Sequence, residues 1–135
     1  MSASPPKNEE GVFSVATLLK YMGNDDKALA VVAKIVRDAC SPGMEPFRQT
    51  QLALTEGRTD DAGKILHSLR GSVGTLGAKR LVTSSLLLEQ ALAEHRSADI
   101  PSLFAALEFE YQLVLQYAAE WLLHNAPQSG IIGQP

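Results

Sequence analysis

The stretch 64-KILHSLRGSVGTLGAKRL-81 sets one imidazole, His67, between two cations and among several glycines. Lys64 stands three residues before it and Arg70 three after, with Gly63, Gly71 and Gly74 close by. A helix advances about 100° per residue, so Lys64 and Arg70 fall about 60° to either side of His67. Asp60, Gly63, Gly71 and Gly74 fall within about 60° of it. Ala62, Ile65, Leu66, Leu69, Val73 and Leu76 occupy the opposite side, a stripe of about 100° that suits a core-facing helix. Ser72 lies at the edge of that stripe and is small enough to be buried there. The three glycines therefore share the outward face with the histidine. Together they cost about 3 kcal/mol of helix propensity, and packing inside the protein gives no visible return for it. The pattern predicts close approach by something from outside.

The chemistry that fits is phosphoryl acceptance. A neutral imidazole offers a nucleophilic ring nitrogen near physiological pH. Once phosphorylated, the ring carries negative charge that Lys64 and Arg70 can screen. Missing Cβ atoms at Gly63, Gly71 and Gly74 give a phosphate-donating domain the clearance it needs for in-line transfer.

The elements that must position this histidine are all helical. Leu and Ala dominate, and period-two alternation is absent. Breakers divide the chain into pieces at about 14–21, 24–41, 44–56, 59–77, 78–95 and 99–124. Asn24 is expected to cap the second piece, with Asp25 and Asp26 in its first turn. Thr59 is expected to cap the fourth, followed by Asp60 and Asp61. Pro101 belongs in the first turn of the sixth. Short links between long helices predict an all-α, antiparallel four-helix bundle with one or two short additional N-terminal helices. Residues 1–12 read as a flexible linker, 13–125 as the bundle and 126–135 as a flexible tail.

Bulk properties exclude several classes. With 135 residues, the chain is enough for one core. Its formal net charge of -3 argues against a general nucleic-acid binder. The single cysteine, Cys40, cannot form an internal disulfide and fits a reducing compartment. No apolar run reaches the roughly 18–20 residues of a membrane span, and no signal peptide opens the chain. No His or Cys has ligand spacing to another, so no metal site is expected.

The segment resembles the histidine-containing phosphotransfer (HPt) domains of multistep phosphorelays. Their signature reads here as His67-Ser68-Leu69-Arg70-Gly71-Ser72, then Leu76-Gly77-Ala78, with Leu88-Glu89 matching the Leu-Glu of the following helix. The opening LLKYMGNDDKAL is similar to the family's short helix and turn. The likeness covers about residues 13–122. It implies that His67 accepts phosphate through Nε2, and that Arg70 stands where the family mostly has Lys. It also implies a carrier with no ATP site of its own. The implied partners are response-regulator receiver domains, which supply Mg²⁺, and a hybrid sensor histidine kinase. The implied location is cytoplasmic, alone or as the C-terminal domain of such a membrane-bound kinase.

Plainer readings hold elsewhere. His95 and His124 sit at helix ends, where a positive imidazole favours the dipole. Lys64 reads equally well as a solvated lysine, Gly77 as a helix C-cap and Ser72 as a packing residue. Leu103, Leu107, Leu113, Leu115 and Trp121 read as core. Two other functions compete: the phosphotransfer domain of a chemotaxis-type kinase, phosphorylated by an ATP-binding domain, and a helical interaction module without chemistry.

Overall fold

A computed structural model describes residues 10–125. The expected tail 126–135 and most of the expected linker lie outside the described residues. Among the described residues six α-helices follow in order: α1 (Ala16–Tyr21), α2 (Asp26–Cys40), α3 (Glu45–Thr55), α4 (Thr59–Gly74), α5 (Lys79–Ala93) and α6 (Ile100–Asn125). A 3₁₀ turn, Ser97–Asp99, leads into α6. The described residues contain no strand. Helices α3 to α6 pack sequentially, each on the next, as short links require. Helix α2 lies against α6 and touches α4. It is 15 residues long, so the N-terminal addition is one short helix and one of full length. No helix among the described residues is long and apolar enough to cross a membrane.

The apolar stripes meet in one core. Leu66, Leu69 and Val73 of α4 face Leu81 and Leu88 of α5 and Leu107, Tyr111 and Val114 of α6 across it. Phe47 of α3 packs edge-on to Phe104 at 5.6 Å between centroids, and lies 5.0 Å from Tyr111. The Tyr111 hydroxyl donates to the Gly43 carbonyl at 2.7 Å, tying α6 to the α2–α3 link. Burial pushes its pKa up to about 12, so it stays a donor. Leu107 is fully buried, whereas Leu103, Leu113, Leu115 and Trp121 pack against the core from its rim.

Several local expectations change. The cap of α2 is Asp25, whose carboxylate accepts from the Ala28 N–H at 2.8 Å. Asn24 instead adopts a left-handed φ of 57° after Gly23, ending α1. Thr59 is the first helical residue of α4 rather than its cap, and Arg58 precedes it with a bond to Asp61. Ser72 is exposed, not buried, and its hydroxyl donates to the Leu69 carbonyl. The fold also begins earlier than residue 13. Val12 is 1% exposed, and the Gly11 carbonyl accepts from the Arg80 N–H.

That N-terminal segment fixes the turn after the site helix. Helix α4 stops at Gly74, and Leu76 and Ala78 point into the core. Between them Gly77 has φ +70°, and a Cβ there would lie 2.6 Å from the Ser14 carbonyl oxygen. Only glycine meets both demands. The Ser14 N–H donates to the Leu76 carbonyl at 2.7 Å, so the segment clamps the α4–α5 turn.

Candidate functional site

His67 sits in the middle of α4, on the exposed side, while Leu66 and Leu69 anchor the helix below it. The helical wheel placed it correctly because the azimuth of a side chain on a straight helix is a local property. The glycines beside it divide into two kinds. A Cβ at Gly71 or at Gly63 would meet nothing within 4 Å. Gly71 is exposed, one turn beyond His67, and leaves bare backbone on that face. Gly63 borders a cleft of about 350 Å³ between α4 and α5, which Asp60, Glu89 and His95 also line. Gly74 differs. Its Cβ would come 3.2 Å from Cγ2 of Val82, so this glycine admits a side chain of α5. Gly74 therefore has a packing role between α4 and α5 in addition to its place on the outward half of the wheel.

The two cations also differ. Lys64 is exposed and lines a groove of about 420 Å³ together with Pro42, Pro46 and Leu69. Arg70 is not a solvated flanking charge. Its Nε and Nη2 donate to Oε2 and Oε1 of Glu89 at 2.9 and 3.0 Å, a two-pronged bond across the α4–α5 interface. The Ser85 hydroxyl donates to Oε2 of Glu89 at 2.7 Å from one turn earlier on α5. Arg70 and Glu89 side chains are 23% and 18% exposed. Arg70 Nη2 reaches Nδ1 of His67 at 2.9 Å. The four side chains form one line: Ser85 and Arg70 donate to Glu89, and Arg70 extends to His67.

Electrostatics hold this line together. Burial pushes the Glu89 carboxyl up, but hydrogen bonds from Arg70 and Ser85 and the nearby charge of Arg70 outweigh it and hold the group below its ordinary value. The bond to Glu89 likewise raises Arg70 above its usual value. A guanidinium has no acceptor and stays charged, so the ring atom facing it must accept. Arg70 therefore does no proton transfer. It fixes the ring and places positive charge beside it.

Sequence reasoning missed Glu89 and Ser85 as parts of the site. The signal available was the Leu88-Glu89 pair, which marks a motif but not a contact. The other histidines stand apart from this line. His95 is exposed in the turn after α5 with φ 55°, and His124 pairs its Nδ1 with the Glu120 carbonyl at the end of α6.

A family model, the Hpt domain, matches residues 35–121, well over half of the chain. The chain belongs to the Hpt domain family. Hpt domains carry phosphoryl groups on histidine in phosphorelays and interact with receiver domains of two-component systems. The all-helical bundle is the Hpt fold, and the match begins inside α2, leaving α1 outside it. No curated protein and no solved structure matches the chain.

Proposed function

We propose that this Hpt domain is a relay carrier: His67 takes a phosphoryl group from the aspartyl phosphate of one receiver domain and yields it to another. The observation that carries the reading is an exposed imidazole in mid-helix, oriented at rest through Nδ1 by Arg70 and flanked by open backbone at Gly71. Gripping one ring nitrogen leaves Nε2 as the atom directed away from the protein's own groups. Gly71 leaves room for the partner's active site to come within transfer distance, where misplacement of about 1 Å can cost roughly 100-fold in rate. Lys64 and Arg70 screen the phosphoryl charge, and Mg²⁺ comes with the receiver. A hybrid sensor histidine kinase is the proposed source of the first receiver.

The test is direct. His67→Gln should accept no label from a phosphorylated receiver, while wild type accepts an acid-labile, alkali-stable phosphoryl group. Labelling of the variant at the wild-type rate would remove His67 from its role. Wild type that is labelled only by a kinase domain with ATP, and by no receiver, would identify a chemotaxis-type phosphotransfer domain instead.

A further inference from the structure

We infer that Arg70 is a tautomer lock on His67: its bond to Nδ1 holds the ring in a form that cannot react, and the bond must open for phosphate to move in either direction. The inference rests on His67 being the phosphoacceptor, and deepens that reading.

Arginine has only N–H donors. The contact of Nη2 to Nδ1 at 2.9 Å therefore requires a lone pair on Nδ1. A neutral imidazole has one N–H, so in this arrangement the proton sits on Nε2. Attack on phosphorus needs the reverse, a lone pair on Nε2 and the proton on Nδ1. Neither nitrogen of the locked ring is a free nucleophile: Nε2 is protonated and the Nδ1 lone pair is occupied.

Arg70 releases Nδ1, and the proton moves through water from Nε2 to Nδ1. The Nε2 lone pair attacks phosphorus, a P–N bond forms, and the P–O bond to the receiver's aspartate breaks. The electron pair of that bond leaves on the carboxylate. The ring is now cationic, with its proton on Nδ1. When that proton departs to water, Nδ1 regains a lone pair, and Arg70 fits it again. The return step needs Nδ1 protonated once more, because a neutral imidazole leaves far more readily than an imidazolate. The receiver's carboxylate then attacks phosphorus and the P–N electron pair returns to Nε2.

Arg70 thus matches the two resting states, unphosphorylated and phosphorylated, and opposes the cationic ring between them. The groups facing the ring are consistent with this. Glu89 of α5 anchors the guanidinium by two bonds, and Ser85 orients that carboxylate. Lys64 is exposed on the other flank of His67. The anchor defines where Arg70 rests, and a docked phosphoryl group is the competing acceptor that can draw its Nη2 away.

The experiment uses the full chain with ring-¹⁵N-labelled histidine. Wild type and Arg70→Met are compared by long-range ¹H–¹⁵N correlation at alkaline pH, where imidazole is neutral. Wild-type His67 should be the Nε2–H tautomer, and Arg70→Met should raise the Nδ1–H fraction about fivefold, the factor one modest hydrogen bond sets. After labelling, the phosphorylated variant should lose its phosphoryl group about fivefold faster than wild type at neutral pH. A wild-type ring already in the Nδ1–H form, or a variant with an unchanged tautomer ratio, overturns the lock. The tautomer is the deciding readout, since loss of charge screening alone would shorten the lifetime without changing it. If Arg70→Met fails to fold, Glu89→Gln loosens the same anchor and should shift the ratio in the same direction. Failure of the phosphoacceptor reading looks different: His67→Gln would still take label, whatever the ring tautomer.

Discussion

Glutamine at position 71 separates the stability of α4 from its proposed use as a docking face. The native glycine is an interior helix residue, which costs about 0.8–1.0 kcal/mol relative to alanine, and glutamine ranks near alanine. The position is exposed, and an added Cβ would meet no atom within 4 Å. No steric term opposes the gain, so Gly71→Gln should stabilise the fold by about 0.5 kcal/mol. For a domain of this size that raises the melting temperature by roughly 2 °C. The same side chain stands about 40° from His67, one turn along the helix. It should hold a receiver's active site away from the imidazole and reduce phosphotransfer by about 100-fold or more. Thermal melting and receiver-to-protein transfer are measured on the same samples, with Gly71→Ala as the smaller step. A Gln variant that melts as expected and accepts phosphate at the wild-type rate refutes the clearance argument. One that melts many degrees lower shows that Gly71 faces the core.

Two further outcomes follow from the geometry. Gly77→Ala should destabilise by about 2–3 kcal/mol, combining a left-handed alanine with loss of the Ser14–Leu76 hydrogen bond. Urea unfolding checks this, and a change under about 0.5 kcal/mol would mean the N-terminal segment does not clamp that turn. Glu89→Gln should change the acid limb of the stability curve. The folded carboxyl lies below its ordinary value, so its contribution is present above about pH 4.3 and lost as pH falls through the folded value. The stability gap between wild type and variant should therefore close below about pH 4, and a gap that stays constant from pH 7 to pH 3 would contradict the ion pair's role.

The sequence by itself determined the order of the helices and the face each one turns inward, though not the capping residues of α2 and α4. Gly57 and Pro101 marked helix ends within a residue or two, and the breakers between them yielded the number and order of helices. The 100° step put His67 and Gly71 outward and Leu66, Leu69 and Val73 inward, as they are found. What the sequence left open lies between elements. Arg70 and Gly74 share the outward half of the wheel with His67, yet both meet α5: Arg70 meets Glu89, 19 residues away, and Gly74 meets Val82. Gly77 read as a simple helix end, but its necessity comes from the Ser14 backbone lying against it. A wheel gives the direction of each side chain from its own axis. It carries no information about how far a neighbouring helix is rotated or slid along that axis, which only the packing of the shared core sets. That rotation brings a carboxylate of α5 to the guanidinium of α4, and so makes a surface histidine into a held one.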